Sequence, residues 1–198
     1  LYGLIQLAKD SGIENIFIHA FMDGRDTPPK SGAGFLDELT SKCNEMGIGK
    51  IATISGRFWA MDRDNRWDRV EKAYNCLAGR HIESTAHSAA EAIQHYYANP
   101  ISPTQNSDEF ALPTQILSED GSPVGTISNG DTVLFFNFRG DRPRELTRAF
   151  INDDFDGFDR GEKLDIHYAT LTEYEKGLCD NVVFRKPVKM VNVLGSYV

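Results

Sequence analysis

Apolar residues recur along this chain with two different periods, and the alternation of these periods predicts a succession of helices and strands. Spacings of three and four residues predict amphipathic helices, whereas short β-branched or aromatic runs bounded by turn residues predict strands. Helices are predicted at residues 4–10, 31–46, 67–78, 88–98 and 143–151. Strands are predicted at 15–21, 50–54, 132–138 and 164–170, with a short strand pair at 114–117 and 124–126 and an extended last twenty residues.

The ends of these segments carry the residues that usually delimit helices. Ser31 is a suitable N-cap, Gly47 and Gly79 follow helical runs, and Pro143 suits a first helical turn. The run at 132–138 is apolar almost throughout, which is typical of a strand covered on both faces. The alternation of strands with helices predicts an α/β fold, a three-layer sandwich with a mainly parallel or mixed sheet and helices on both faces.

Three predicted strands run into glycine-containing turns that carry arginine. The turns are Asp23-Gly24-Arg25-Asp26, Ser55-Gly56-Arg57 with Arg63 six residues on, and Arg139-Gly140-Asp141-Arg142. Because ligands of open α/β sheets bind outside the carboxyl ends of the strands, the five arginines are expected to converge. The guanidinium group is a permanently charged planar fork that suits carboxylate and phosphate. The pattern therefore predicts a receptor for a small molecule with several negative charges.

The first two turns also have a purely structural interpretation, and other ligand-binding interpretations exist for the second and third. The first is equally consistent with a tight turn that holds a local Asp–Arg ion pair. Residues 56–64 are consistent with a solvated salt-bridge loop in which Asp62 and Asp64 are the partners, although surface pairs contribute only about 0–1 kcal/mol. Basic and aromatic residues interleave there, as in single-stranded nucleic-acid sites. At Pro143, the start of a helix offers spare N–H groups to an anion between Arg139 and Arg142.

The overall charge narrows the class of partner. The 198 residues have a formal net charge of −8 and a sequence pI of about 5.1, which disfavours nucleic acid and anionic membranes as partners. The length predicts one domain. Three widely spaced cysteines, no signal peptide and no apolar run of membrane-spanning length fit a cytoplasmic protein. The five histidines lack metal-ligand spacing, and no nucleophile elbow, Walker loop or Rossmann signature is present.

Several segments together resemble the cofactor-independent phosphoglycerate mutases. The segments are His19-Ala20-Phe21-Met22-Asp23-Gly24-Arg25-Asp26-Thr27-Pro28-Pro29, Gly56-Arg57-Phe58-Trp59-Ala60-Met61-Asp62-Arg63-Asp64, Phe136-Asn137-Phe138-Arg139-Gly140-Asp141-Arg142, Thr172-Glu173-Tyr174 and Asn192-Val193-Leu194-Gly195. They occur in the family's order over essentially the whole chain. Gly140 stands where alanine is common in that family.

The resemblance implies an isomerase of glycolysis and gluconeogenesis that interconverts 3-phosphoglycerate and 2-phosphoglycerate without 2,3-bisphosphoglycerate. In that family a phosphatase-like domain carries a phosphoserine and two Mn²⁺ ions, and a transferase domain binds the glycerate. Residues 1–198 resemble most of the transferase domain only, as a single domain that binds no metal and is expected to be inactive alone. By this resemblance the substrate-binding residues are Arg25, Asp26, Arg57, Arg63, Arg139 and Arg142, and Asp26 orients or deprotonates the glycerate hydroxyl.

Other parts of the family pattern fall outside the sequence. The chain opens in what looks like the middle of a helix, and the family's His-Ser-His block and substrate-contacting lysine are absent. The partners expected are phosphoglycerate and the phosphatase-like domain of the same polypeptide, and a monomer is expected. Arg57 with Arg63 is predicted to bind one anionic group, and Arg139 with Arg142 the other. Two alternatives stay open: a polyanion-binding module without turnover, and a sugar-phosphate or nucleotide-binding domain of another enzyme.

Overall fold

The structure is a computed structural model that describes residues 1–185. The helices within these residues are α1 Tyr2–Asp10, α2 Gly32–Met46, α3 Arg57–Ala60, α4 Trp67–Leu77, α5 Ala89–Ala98 and α6 Arg144–Ile151, with a 3-10 turn at Asp108–Phe110. The strands are β1 Phe17–Met22, β2 Lys50–Gly56, β3 Thr85–Ala86, β4 Thr114–Ile116, β5 Thr132–Phe135, β6 His167–Thr172 and β7 Asn181–Phe184. The sequence block at 192–195 and most of the predicted extended tail lie outside the described residues.

The strands form two sheets. The first has the order β1-β2-β4-β3, in which β1 and β2 are parallel, β2 and β4 antiparallel, and β3 and β4 parallel. The second has the order β5-β6-β7 and is parallel throughout. The fold is therefore α/β with mixed sheets, in agreement with the class predicted from the sequence, although the strands divide between two sheets.

Each sheet belongs to its own hydrophobic cluster. One cluster packs α2 and α5 against β1 and β2, with Leu36, Ile54 and Ile93 among its buried side chains. The other packs α4 and α6 against β5 and β6, with Tyr74 and Phe150 at its centre. The two clusters adjoin, since Phe21 of β1 packs against the second cluster and contacts Phe135 of β5 edge to face.

The segment at 132–138 differs from its prediction. The strand ends at Phe135, which is its buried member, while Leu134, Phe136 and Phe138 are exposed. The prediction of a strand covered on both faces is wrong here because β5 lies at a sheet edge and pairs only with β6. The strand ends early because the Tyr174 hydroxyl donates to the carbonyls of Phe135 and Asn137, at 2.8 and 2.7 Å. The strand that is buried along almost its whole length is β2.

Two further predicted strands change their extent. The pair at 114–117 and 124–126 is reduced to β4, one bridge between Leu117 and Pro123, and a hydrogen bond from the Val124 amide to the Ile116 carbonyl. The strand predicted at 164–170 begins three residues later, at His167. Within residues 1–185, no helix combines the length and the apolar character that a membrane crossing requires.

His19 is expected to make the protein lose stability in mild acid. Its Nδ1 lies 2.9 Å from Thr53 Oγ1 on the neighbouring strand, and burial lowers the pKa of His19 to about 4 despite the opposing charge of Asp131. A lowered pKa means that the unfolded chain binds more protons, so stability falls as pH falls through 6.5 toward 4. Between pH 7 and pH 5 the loss attributable to this ring is about 2 kcal/mol.

Urea unfolding of the wild type and of His19→Gln at both pH values measures this loss. The His19→Gln variant should show a smaller drop in unfolding free energy by about that amount, since glutamine does not titrate. His95→Gln, at an exposed position on α5, should keep the wild-type drop. Equal drops in all three proteins would contradict the assignment to His19.

Candidate anion-binding site

The loop that follows β1 is shaped by Asp23 and Gly24. The carboxylate Oδ1 of Asp23 accepts the backbone N–H groups of Arg25 and Asp26, at 3.4 and 3.3 Å, which closes a turn. Gly24 has φ of +62° and packs so tightly that an added Cβ would lie 2.7 Å from the Glu109 amide nitrogen. A glycine is therefore required here for both its conformation and its size.

Arg57 joins this loop to the end of β2. Its side chain is only 11% exposed, and Nη1 donates to Asp23 Oδ1 at 2.5 Å and to Asp26 Oδ2 at 2.9 Å. Burial opposes ionisation of Asp23, but the hydrogen bond from Arg57 outweighs it and the pKa of Asp23 lies below its usual value. The Nε of Arg57 is buried and has no hydrogen-bond partner within residues 1–185.

The loops after β2 and β5 are joined in the same way. Arg63 Nη1 forms an ion pair with Asp141 Oδ2 at 2.9 Å, and Arg142 Nη1 donates to the Met61 carbonyl at 2.7 Å. Burial lowers the pKa of Arg142, and the positive charges of Arg57 and Arg63 lower it further. The mutual repulsion of these guanidinium groups marks a region in which an anion would be stabilised.

The remaining two arginines are at the exposed rim. Arg25 pairs with Glu109 at 3.2 Å and its side chain is 62% exposed. Arg139 is exposed and forms no side-chain hydrogen bond within the described part of the chain. We call Arg25, Arg57, Arg63, Arg139 and Arg142 the arginine cluster. Within the protein, Arg63 contacts the loop that carries Arg142, whereas Arg57 contacts Asp23 and Asp26. These contacts do not show which arginines would bind the same anionic group, so the predicted pairing of Arg57 with Arg63 stays a prediction.

Some residues that shape the site carry no motif that sequence reasoning can detect. Asp108 is buried in the proline-rich loop, where its carboxylate accepts the Gly32 amide at 2.7 Å and the Tyr97 hydroxyl. It thereby supports the loop after β1 from below. The alternative interpretation of residues 56–64 as a solvated salt-bridge loop is correct in that Asp62 and Asp64 pair with Arg66, but Asp62 is only 4% exposed and is therefore not solvated. Neither residue type nor spacing signals such burial.

The acidic residues near the site do not form a metal centre. Within residues 1–185 there is no group of three or more His, Cys, Asp or Glu residues that could hold a metal ion. Asp23, Asp26, Glu109 and Asp141 instead accept hydrogen bonds from arginines. The donor set therefore suits an anionic organic ligand and does not suit a cation.

Fold and site together define a class of protein: an α/β domain that gathers arginine side chains at the carboxyl ends of several strands. Residues 1–176 match the family model described as BPG-independent PGAM N-terminus, and the chain belongs to this family.

Curated relatives and a solved structure agree with this membership. The chain is 50% identical, over its whole length, to the 2,3-bisphosphoglycerate-independent phosphoglycerate mutase of Clostridium perfringens strain 13, and 48% identical over 98% of its length to that of Rhodopirellula baltica. It covers 37% of each of these relatives. A crystal structure of Leishmania mexicana phosphoglycerate mutase at low cobalt concentration matches 99% of this chain and 36% of its own, with a TM-score of 0.89 and 35% identity. The chain thus spans little more than a third of the proteins it resembles.

Proposed function

We propose that this chain is the substrate-binding part, most of the transferase domain, of an enzyme that interconverts 3-phosphoglycerate and 2-phosphoglycerate. The observation that carries the proposal is the convergence of Arg57 and Arg63, which follow β2, with Arg142, which follows β5, while Arg57 also binds Asp23 of the loop after β1. Phosphoglycerate bears a carboxylate at one end and a phosphate in the middle or at the other end, so it needs cationic groups on more than one side. The arginine cluster provides them from both sheets.

The carboxylates in the cluster hold the arginines ready for the ligand. Asp23 and Asp141 each bind one arginine, and the ligand's oxygens would compete for donors that are already oriented. Preorganised donors lose little conformational entropy when the ligand binds. Asp26 is 66% exposed on its side chain and held by Arg57, which places an acceptor where it would orient, or take a proton from, the free hydroxyl of the glycerate.

The phosphoryl carrier of the reaction is proposed to lie outside this chain, on the phosphatase-like domain of the same polypeptide. The described residues do not fit a metal ion, so the two Mn²⁺ ions that the family resemblance implies would be held elsewhere. Residues of this chain would retain the glycerate while the phosphoryl group is bound to the other domain. They would also stabilise the negative charge on the phosphoryl oxygens during transfer. The chain alone is therefore proposed to bind substrate without turnover.

Other properties follow from the relatives. The names of these relatives state that they are independent of 2,3-bisphosphoglycerate, and we propose that the enzyme to which this chain belongs does not require it either. Cys43, Cys76 and Cys179 are free thiols, which fits the proposed cytoplasmic location. A monomer is proposed, with phosphoglycerate and the second domain as its partners.

Calorimetric titration with 3-phosphoglycerate at low salt tests the proposal. Saturable binding is expected, and Arg139→Ala should weaken it about tenfold, because one charge-assisted contact contributes roughly 1.4 kcal/mol. Lys163→Ala, before β6 at the opposite end of that strand, removes the same charge and should leave the affinity unchanged.

Competition distinguishes the alternatives. Displacement of 3-phosphoglycerate by an equal concentration of ATP would favour a nucleotide site, and equal displacement by glucose 6-phosphate would favour a general sugar-phosphate site. No binding by a chain shown to be folded would contradict substrate binding by this chain alone.

A further inference from the structure

Two acidic side chains are buried between the segments that carry Arg63 and Arg142. Asp62 directly precedes Arg63 and is 4% exposed, while Glu145 lies three residues after Arg142 and is 3% exposed. Acidic residues are almost never this buried without partners, because an unpaired charge is costly away from water. The hydrogen bonds of this pair therefore indicate what it does.

Asp62 has the partners expected of an ionised carboxylate. Its Oδ2 accepts the backbone N–H groups of Asp64 and Arg66 at 2.9 and 3.0 Å, and its Oδ1 accepts Arg66 Nη1 at 2.9 Å. These hydrogen bonds hold the pKa of Asp62 below its usual value although burial opposes them.

Glu145 connects this loop to helix α6. Its Oε1 accepts the backbone N–H of Asn65 at 2.9 Å, across 80 positions in the sequence. Asn65 has φ of 56°, a left-handed conformation that asparagine tolerates better than most residues. The other oxygen, Oε2, is buried and has no hydrogen-bond donor within residues 1–185.

We propose that Glu145 is a positioning residue of the anion site: its side chain clamps the loop of residues 62–65 onto the start of α6 and so fixes the distance between Arg63 and Arg142. The role in substrate binding rests on the function proposed above, whereas the clamp itself does not. Two weaker contacts span the same gap, the exposed pair of Arg63 with Asp141 and the hydrogen bond from Arg142 to Met61. Glu145 provides the third contact across this gap, from a buried side chain.

A proton on Glu145 would give the orphan oxygen a hydrogen-bonding role. Burial raises the pKa of Glu145, and the neighbouring charge of Asp62 raises it further, against the Asn65 hydrogen bond and the charge of Arg148. A protonated Oε2 has one hydrogen to donate, and Asp62 is the acceptor beside it. The other charged groups facing the pair are Arg66, which directly precedes α4, and Arg69 of α4, both on the Asp62 side.

Two substitutions of Glu145 distinguish a side chain that holds the loop by hydrogen bonds from one that only fills space. Glu145→Gln keeps an acceptor for Asn65 and a donor for Asp62, as the protonated acid does. Glu145→Met fills a similar volume with neither group, so it leaves the Asn65 N–H and the Asp62 carboxylate without this partner. We expect the affinity for 3-phosphoglycerate to stay within twofold of wild type for Gln and to fall about tenfold for Met.

Ligand-free measurements test the clamp independently of binding. Amide hydrogen exchange of Asn65 should be slow in the wild type and in Glu145→Gln, and much faster in Glu145→Met. The carboxyl ¹³C resonance of Glu145 should titrate with a midpoint above the ordinary value of 4.5. Glu175→Ala removes a carboxylate that pairs with Arg144 and Arg148 of α6 and not with the loop of residues 62–65, and it should change neither exchange at Asn65 nor affinity.

The outcomes separate the two proposals. Unchanged Asn65 exchange in Glu145→Met, or equal loss of affinity in Gln and Met, would overturn the positioning role. A wild type that binds no 3-phosphoglycerate would count against the function proposed for the chain, and the exchange of Asn65 would still decide whether the clamp exists. Normal Asn65 protection together with a Glu145 midpoint at or below 4.5 would overturn the proton-sharing arrangement.

Discussion

Replacement of Arg57 with alanine is expected to lower the affinity of this chain for 3-phosphoglycerate about 100-fold, the largest effect of any residue in the arginine cluster. Two losses combine. The ligand loses a buried, charge-assisted donor, which contributes roughly 1.5–3 kcal/mol. Asp23 and Asp26 lose the guanidinium that holds them, so two carboxylates are left facing an anionic ligand. Titration calorimetry of wild type and variant at matched ionic strength measures the change.

Controls at Arg57 separate charge from geometry. Arg57→Lys keeps the charge but cannot bind Asp23, Asp26 and a ligand through a planar fork, so an intermediate loss of about tenfold is expected. Arg80→Ala removes an arginine just beyond the far end of α4, about 15 Å from the start of that helix, and should leave affinity unchanged. An Arg57→Ala protein that is folded and binds as tightly as wild type would contradict a substrate role for this residue.

Replacement of Gly56 with alanine is expected to destabilise the fold by more than about 3 kcal/mol, because the new methyl group overpacks a site closed by backbone atoms. Gly56 has φ of −66° and ψ of 149°, which any residue can adopt, so the cost is steric and not conformational. An added Cβ would overlap the Glu109 carbonyl and lie 2.7 Å from the Ala111 amide nitrogen. The Gly56 amide also donates to the Ala111 carbonyl at 2.7 Å, which resists any separation of the two segments.

Gly34→Ala is the matched comparison for this measurement. Gly34 lies in α2 with no atom within 4 Å of an added Cβ, so alanine there should stabilise the protein by about 0.5–1 kcal/mol through its higher helix propensity. Chemical denaturation of the wild type and both variants gives the two changes with opposite signs. If Gly56→Ala unfolds at the same denaturant concentration as wild type, the close approach at the end of β2 is not present in solution.

Much of the site follows from residues whose chemistry is visible in the sequence. Strand ends are marked by short apolar runs and by glycine-containing turns, and arginine is conspicuous in an acidic chain, so the meeting of the loops at 22–30, 55–66 and 139–143 could be predicted from topology alone. The five predicted helices also lie close to their predicted bounds, and Gly47 ends α2 in a left-handed conformation, whereas the Ser31 side chain forms no capping hydrogen bond and α3 lies where a loop was predicted.

What could not be predicted depends on contacts between distant segments. The early end of β5 is set by the Tyr174 hydroxyl, 39 positions away from Phe135, and no periodicity in the strand records this contact. The burial of Asp62 depends on the position of α6, so its neighbours Arg63 and Asp64 make it look solvated in the sequence. The division into two sheets likewise depends on which strand edges pair, and strand propensity does not determine pairing.

The arginine cluster is supplied by loops from both sheets, each of which has its own hydrophobic cluster. A bound polyanion would therefore act as a noncovalent crosslink between the two parts of the fold. Such a ligand stabilises only the arrangement in which both parts are folded and adjacent, so its binding energy would couple their unfolding into one cooperative event. Substitutions in either core that loosen the packing would then weaken ligand binding from a distance, by raising the cost of bringing the two halves of the site together.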